Sequence, residues 1–185
     1  MKRAAAVLTI AMLAAGAARA AEVAGVTMPA TETVEGKTLK LNGMGLRSKM
    51  VFKIYVAGLY LENPSRDAAV VVESEQIKSM HLSMLRDVQG HEITHAIGQG
   101  FARNARSQMG ALQGRLDSLG AMLPNLARGD DVVLSYVPGK GTLVRVQGVD
   151  RGVIEGKDFA DSLLRTWLGA DPVQEDLKRA FLAGG

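Results

Sequence analysis

Residues 91–95 form the most specific chemical motif in this sequence. They read His-Glu-Ile-Thr-His, the pattern in which two histidines one helical turn apart bind zinc and the glutamate acts as a general base. A catalytic zinc needs three protein ligands, and Phe101 stands where the longer form of this motif has its third histidine. The remaining histidine, His81, lies on a predicted strand before the motif. The number of ligands therefore argues against a zinc enzyme.

A structural interpretation explains the same residues. Glu92, near the N-terminus of the predicted helix, complements the helix dipole, and His91 and His95 lie on the solvated side of that helix. No further glutamate follows before Glu155, which leaves Asp117 as the best remaining third ligand. We therefore predict neither a metal site nor a cofactor, and a zinc hydrolase is the least favoured alternative.

Arg47 is the second residue whose surroundings suggest chemistry. It lies in residues 43–62, which read GMGLRSKMVFKIYVAGLYLE. We predict a glycine-spaced turn, then Arg47 at the junction of turn and strand, then a long strand at residues 51–61 that is buried on most of both faces. Gly58 within this strand predicts a bulge or a close backbone approach. A guanidinium at the mouth of an apolar surface suits one carboxylate, because its fork of donors matches two oxygens.

The rest of the chain supplies the elements that must position these side chains. Alternating apolar residues predict strands, and apolar residues three or four apart predict helices. The predicted strands are residues 21–28, 31–42 with a turn at 35–37, 51–61, 77–88, 131–137, 142–149 and 153–155 with a turn at 150–152. The predicted helices are a short one capped by Ser65, one at residues 91–126 with a break near 104–108, one at 157–168 and one that starts at Asp171-Pro172. Segregated strands and helices predict an α+β fold, with a mainly antiparallel sheet covered on one face by helices.

The first twenty residues predict a secretory signal peptide. Lys2 and Arg3 form a positive head, residues 4–15 are apolar but too short to span a membrane, and Ala18-Arg19-Ala20 matches a small-x-small cleavage site. We therefore predict a signal peptide at residues 1–20, one domain at residues 21–185, and a periplasmic or secreted protein. No later apolar segment is long enough for a membrane helix.

Charge and cysteine content exclude several classes of function. The chain has 22 Lys and Arg against 19 Asp and Glu, and the first twenty residues hold three of the basic residues and none of the acidic ones. The remaining chain has 19 of each, so it is neutral and gives no support for nucleic-acid binding. The absence of cysteine excludes disulfides, thiol chemistry and cysteine-ligated metals.

Two segments of the sequence resemble the chalcone isomerase-like family. Residues 43–62 are similar to the family's signature, which is a glycine-rich turn, an arginine and a strand that ends Gly-x-Tyr-Leu-Glu. The resemblance returns near the C-terminus in SLLRTWLG and, a few residues later, in DLKRAFL. It implies an open-faced β-sandwich in which a large antiparallel sheet is backed by a layer of helices, with a ligand cleft between the two layers.

The resemblance also implies roles for single residues. Arg47 corresponds to the family's cleft arginine. Tyr55 stands at a position that is threonine in the plant isomerases and tyrosine in the fatty-acid-binding members, where it helps the arginine to hold a carboxylate. Thr166 corresponds to a threonine that contacts the substrate of the isomerases. The catalytic tyrosine and asparagine of the isomerases fall on Ile93 and Gly100, which removes much of the polar network that ring closure of a chalcone needs.

We therefore predict a protein that binds a fatty acid or a similar apolar carboxylate through Arg47, Tyr55 and Thr166, without robust isomerase activity and with no catalytic residue assigned. The apolar part of the ligand would lie against slim, adaptable side chains. The candidates for this role are Met80, Leu82, Met84, Met109 and Leu112. An isomerase, acting as an intramolecular lyase on a chalcone-like or other small enone, remains the alternative.

Each proposed site residue also has a plain structural explanation, which the sequence leaves open. Arg47 would close a turn through a surface ion pair. Tyr55 would be a core tyrosine whose hydroxyl bonds a backbone group. Thr166 would bond back to the preceding turn of its own helix. These explanations together predict a structural or partner-binding protein with a filled cleft.

Overall fold

The computed structural model describes residues 20–184. The predicted signal peptide, except for Ala20, lies outside the described residues and stays a prediction. The strands are β1 (Ala21–Val23), β2 (Val26–Met28), β3 (Thr31–Val34), β4 (Lys37–Lys49), β5 (Phe52–Leu61), β6 (Lys78–Met84), β7 (Asp131–Val137), β8 (Gly141–Val146) and β9 (Val149–Ile154). The helices are α1 (Ala68–Glu73), α2 (Gly90–Asn104), α3 (Met109–Met122), α4 (Lys157–Leu168) and α5 (Glu175–Phe181), with a short 3-10 helix (Arg106–Gln108) between α2 and α3.

Seven of the strands, β3 to β9, form one antiparallel sheet in their order along the chain. The loop between β3 and β4 shows how the sequence favours this arrangement. Glu35 and Gly36 have φ angles of 49° and 74°, the left-handed conformation that a two-residue hairpin loop needs. The predicted turn at this place, the antiparallel sheet and the α+β class are all confirmed.

The helices pack against one face of the sheet and bury the main core there. Phe101 of α2 and Phe159 of α4 meet edge to face in this core, with 5.6 Å between their ring centroids. The strand residues on this face alternate along β5 and β6, and they are Ala57, Leu59, Leu61, Met80, Leu82 and Met84. The alternation predicted for residues 77–88 is therefore confirmed for Met80, Leu82 and Met84.

The opposite face of the sheet is covered in part by the β1–β2 hairpin. Met28 of β2 packs there with Leu39, Val56 and Tyr60 in a second, smaller cluster. A Cβ atom at Gly58 would overlap the sulfur of Met28, so the predicted close approach at Gly58 is confirmed. Gly58 pairs regularly with Met44, so the bulge predicted as the other option does not lie there.

Two predictions about the first strands are wrong. Residues 21–28 are not one strand, because the chain folds back at Ala24 and Gly25, whose φ angles are 50° and 82°. The glycine-spaced turn before Arg47 lies inside the thirteen-residue strand β4. A Cβ atom at Gly43 would overlap the carbonyl oxygen of Ala180 in α5, so this glycine serves a close approach between strand and helix.

Other boundaries differ from the predicted ones for local reasons. The predicted turn at residues 150–152 lies inside β9, and the chain turns instead at Gln147 and Gly148, whose φ angles are 51° and 72°. Helix α1 is capped by Asp67 and not by Ser65, because the Asp67 carboxylate accepts hydrogen bonds from the first turn.

Two predictions about the helical segments have different outcomes. The predicted break near residues 104–108 is confirmed by the short 3-10 helix. The last helix begins at Glu175, after Pro172, and not at Asp171-Pro172. None of the helices within residues 20–184 is both long and apolar enough to cross a membrane.

Candidate ligand-binding site

A cleft of about 550 Å³ lies between the sheet and the helical layer. Its walls come from β4, β5 and β6 on one side and from α2, the end of α4 and the loop after α4 on the other. The volume falls in the range of small-molecule sites. The apolar residues of the walls are Ile54, Leu82, Val88, Ile93, Ala96, Ile97, Trp167, Pro172 and Val173.

A bulge in the β4–β5 hairpin brings the polar residues to the cleft. Arg47 pairs with Tyr55 in the ladder, but the next pair is Ser48 with Lys53, so Ile54 is the extra residue. Ile54 and Tyr55 are neighbours in sequence, yet both line the cleft. The pairing of Arg47 with Tyr55 places the two side chains that sequence reasoning selected side by side.

Arg47 enters the cleft with a half-buried side chain. Its Nη1 donates to the backbone oxygen of Ser48 and to Oε1 of Gln174, the latter at 3.2 Å. Within residues 20–184, no carboxylate forms an ion pair with Arg47, so the alternative of a surface ion pair finds no partner there. The guanidinium has five N–H donors, and those on Nε and Nη2 are available for Tyr55 and for an incoming anion.

Gln174 fixes the strand next to Arg47, and sequence reasoning missed it. The Oε1 atom of Gln174 accepts from the backbone nitrogen of Ser48 at 2.9 Å as well as from Arg47. The Nε2 atom donates to the backbone oxygen of Leu46 at 3.1 Å. One amide therefore holds three consecutive residues of β4 to the residue that precedes α5.

The hydroxyl of Tyr55 is hydrogen-bonded to the side chain of Trp167. Within the described part of the chain it does not bond to a backbone group, as the structural explanation of this residue required. The Nε1 atom of Trp167 donates to the Tyr55 hydroxyl oxygen at 3.0 Å. Burial raises the pKa of Tyr55, while the bond from Trp167 and the charge of Arg47 act in the opposite direction. The hydroxyl stays protonated at physiological pH, and because its oxygen already accepts from Trp167, its proton is free to be donated to a ligand.

Thr166 lies on the wall of the cleft with only 2% of its surface exposed. Its hydroxyl oxygen has no hydrogen-bond partner within the described part of the chain, so it does not bond back to the preceding turn of α4. A Cβ atom at Gly100 would lie 2.5 Å from this oxygen. The absence of a side chain at Gly100 therefore leaves room for the Thr166 side chain. The buried Thr166 hydroxyl without a partner costs free energy unless a ligand or a water molecule forms a hydrogen bond with it.

The predicted apolar wall is only partly correct. Leu82 lines the cleft, but the other four methionines and leucines proposed for this role do not. Met80 and Met84 lie on the same face of the sheet and belong to the packed core, as does Leu112 of α3. Met109 lines a separate surface groove between α2 and α3. Ile93, to which the resemblance assigns the position of the isomerases' tyrosine, does line the cleft with an apolar side chain.

The histidine motif lies at the start of α2, as predicted, and neither of its two histidines is among the residues that line the cleft. His91 and His95 are exposed, and the Nε2 atom of His95 lies 3.0 Å from the Gln99 side chain. Glu92 caps the helix, because its carboxylate accepts from the backbone nitrogen of Gln89 at 3.2 Å. Residues 20–184 contain no group of three side chains arranged to hold a metal ion.

The charges around the cleft favour an anion. Four basic residues line it, namely Arg47, Lys49, Arg86 and Arg103, together with the acidic Glu92 and Asp171. Asp171 pairs with Arg103 at 3.5 Å, and Glu92 is used in the helix cap. The positive charge that remains lies on the side formed by β4 and by the segment after β6.

The whole described fold can be compared with known proteins. A sequence profile described as chalcone isomerase-like matches residues 20–183, and the chain belongs to this family. The crystal structure of the Arabidopsis thaliana fatty-acid-binding protein AtFAP1 is similar, with a TM-score of 0.71 over 89% of this chain and 96% of that chain, at 16% sequence identity. At this identity the likeness establishes a shared fold. Among curated proteins, none matches the sequence.

Proposed function

We propose that this protein binds a fatty acid or a similar apolar carboxylate in the cleft between its sheet and its helices. One observation carries the proposal: Arg47 lies on the wall of a cleft that also has an apolar wall, without a carboxylate partner in residues 20–184 and beside a tyrosine hydroxyl that is free to donate. A guanidinium and a hydroxyl together bind the two oxygens of one carboxylate. The structure of AtFAP1, a protein named for fatty-acid binding, supports this class of ligand because it has the same fold.

The arrangement of the walls gives the ligand a direction. Its carboxylate lies between Arg47 and Tyr55, and its hydrocarbon part extends along Leu82, Ile93 and Ile97 toward the sheet-facing side of α2. Burial of each CH₂ group contributes about 0.8 kcal/mol, so the tail supplies most of the affinity and the carboxylate fixes the orientation.

Binding without robust isomerase activity is part of the proposal. The chain has three tyrosines, and the cleft is lined by only one of them, Tyr55. The residues at the positions of the isomerases' catalytic tyrosine and asparagine are Ile93 and Gly100, neither of which can donate a side-chain hydrogen bond to a developing enolate.

A periplasmic or secreted location is a further part of the proposal, and it rests on the sequence of residues 1–20. The expected result is a mature chain that begins at Ala21 in the periplasmic fraction of an expressing bacterium. Recovery of the uncleaved chain from the cytoplasm would contradict it.

The anchor is tested by measuring the affinity of the mature chain for laurate and palmitate by fluorescent-probe displacement. Arg47→Ala should weaken binding about 10- to 100-fold, because hydrogen bonds to charged groups contribute about 1.5–3 kcal/mol. Arg151→Ala, which removes an exposed arginine of β9, is the matched control and should leave the affinity unchanged.

Two results would contradict the proposed function. Arg47→Ala that binds both fatty acids as tightly as the parent protein would remove the anchor. Turnover of a chalcone above the buffer rate, lost in Arg47→Ala, would favour the isomerase alternative instead.

A further inference from the structure

The tip of the β4–β5 hairpin exposes apolar side chains to solvent. Met50, Val51 and Phe52 are consecutive, and their exposed fractions are 90%, 88% and 55%. They are three of the six large apolar residues that stand out as exposed in the described part of the chain. Single exposed apolar residues need no explanation, but a run of three at a protruding loop indicates contact with something apolar.

The turn itself does not require these residues. Lys49 pairs with Phe52, so Met50 and Val51 form a two-residue loop, and Met50 adopts a φ of 55°. Asparagine and glycine are the preferred residues for such loops, and a side chain such as methionine is strained in this conformation. Met50 and Val51 contribute neither to the core nor to a favourable loop conformation, and residues that depart from the sequence preference of their local structure in this way indicate a functional role.

Basic side chains surround this apolar tip. Lys49 and Lys53 flank it in sequence, and the Arg86 guanidinium lies 5.3 Å from the centre of the Phe52 ring. Within residues 20–184, none of these three cations is in an ion pair. Asp87 follows Arg86 in sequence, and its Oδ1 atom accepts a hydrogen bond from the backbone nitrogen of Arg128 at 2.9 Å.

The tip lies beside the cleft. Lys49 and Arg86 contribute to the tip and also line the cleft, and Ile54, two residues beyond Phe52, belongs to its apolar wall. An object that binds the tip therefore lies next to the cleft.

The composition of the tip determines which partner fits it. A stable protein partner would need about 20–30 residues on each side, whereas the tip offers three apolar residues and three cations. A lipid bilayer needs only a small apolar insertion, and cations around that insertion bind anionic headgroups. We propose that the tip, residues 49–53 together with Arg86, inserts into the surface of an anionic bilayer and holds the mouth of the cleft against it.

Membrane docking is independent of what the cleft binds. Its consequence, which rests on the proposed function, is that an apolar carboxylate passes between bilayer and cleft without crossing water. Arg47 and Tyr55 line the same cleft as Lys49 and Arg86 of the tip, so the proposed carboxylate anchor lies on the side of the protein that faces the bilayer.

The test is sedimentation with vesicles of 30% phosphatidylglycerol in phosphatidylcholine, and with vesicles of phosphatidylcholine alone. The protein begins at Ala21, which keeps the described fold and removes residues 4–15, an apolar segment that would bind vesicles by itself. We expect binding to the anionic vesicles and at least about tenfold weaker binding to the neutral ones.

The variants separate insertion from charge. The double variant Met50→Asn with Val51→Gly keeps a favourable loop and should weaken binding to anionic vesicles at least about tenfold. Lys53→Glu should weaken it at least about fivefold and make the remaining binding less sensitive to salt. Val149→Asn removes an apolar residue of β9 that is 53% exposed, and this matched control should bind as the parent does.

Two outcomes would overturn the proposal, a parent protein that binds no vesicles and a double variant that binds vesicles like the parent. In the first case, tip-dependent dimers in ultracentrifugation would assign the tip to contact with a second copy of the chain. The double variant should keep the parent's affinity for dissolved laurate, because Met50 and Val51 do not line the cleft. Loss of laurate binding in Arg47→Ala with intact vesicle binding would separate the two proposals.

Discussion

Two sites in this protein place a cation beside a tyrosine on the helix-facing side of the same sheet. One is Arg47 with Tyr55, at the edge of the cleft. The other is Lys78 of β6, whose ammonium lies 5.3 Å from the centre of the Tyr136 ring. Lys78 lies on the buried face of its strand with 1% of its surface exposed, and the sequence analysis assigned it no role.

The two sites differ in what remains for a ligand. The Nζ atom of Lys78 donates to the backbone oxygens of Val72 at 2.6 Å and Ser74 at 2.9 Å, which lie at the C-terminal end of α1. Asp161 is 4.0 Å away, and the cavity beside Lys78 measures about 10 Å³. Arg47 has unused donors and a cleft of about 550 Å³. Arg47 therefore keeps the open donors and the space that the proposed ligand requires, whereas Lys78 uses its donors within the fold and stabilises it.

The sharpest way to break this comparison is to remove each cation in turn. Lys78→Ala should lower the free energy of unfolding by about 2–4 kcal/mol, because it leaves a cavity and two helix-end carbonyls without their donor. It should change the affinity for laurate less than twofold. Urea denaturation and probe displacement measure the two effects.

The surface lysine Lys140, which pairs with Glu35, is the matched control for Lys78. Lys140→Ala should cost about 0–1 kcal/mol of stability, as exposed ion pairs do. The comparison fails if Lys78→Ala unfolds like the parent, or if it weakens laurate binding as strongly as Arg47→Ala.

The space beside Thr166 is the second point at which the comparison can be tested. Gly100→Ala places a Cβ against the Thr166 hydroxyl, so it should cost about 1–3 kcal/mol of stability and weaken laurate binding several-fold as Thr166 moves into the cleft. Gly114→Ala on α3 meets no atom within 4 Å, so this control should keep the parent's affinity and raise stability by about 0.5–1 kcal/mol. Equal affinities for the two variants would show that Thr166 does not shape the site.

The smallest expected effect is the pH dependence of stability that Lys78 produces. Burial lowers the pKa of Lys78 to about 8 in the folded protein, from an ordinary value of 10.5. Between these values the unfolded state binds more protons, so stability rises with pH, by about 1–2 kcal/mol from pH 7.5 to pH 9.5. Lys78→Met should flatten this rise in urea denaturation measured across that range. A parallel rise in the variant would mean that other groups cause it.

Sequence periodicity predicts much of the fold, because the signal is local. The helix at residues 157–168 and the alternation of Met80, Leu82 and Met84 are visible within a dozen residues, and the structure confirms both. The turn before Arg47 was predicted wrongly because the signal there is not local. Glycine favours turns, so Gly43 suggests one, but a glycine is needed at this position because the backbone of Ala180, 137 positions away, lies against it.

Some residues of the candidate site can be predicted from the sequence, and others cannot. Arg47, Tyr55 and Thr166 could be selected from the sequence through the resemblance to a family, and the structure brings all three to one cleft. Gln174 could not, because a glutamine before a short helix has no pattern of its own and its partners lie 126 to 128 positions earlier. The hydrogen bond from Trp167 to Tyr55 likewise depends on how α4 packs against β5.

The contact between Gln174 and β4 also has a consequence for the order in which the protein is made. Arg47 emerges from the ribosome early, but the amide that orients it belongs to residue 174. A nascent chain therefore carries an arginine, a tyrosine and part of an apolar wall without a finished receptor. The arrangement around Arg47 becomes complete only after the chain has been synthesised past residue 174.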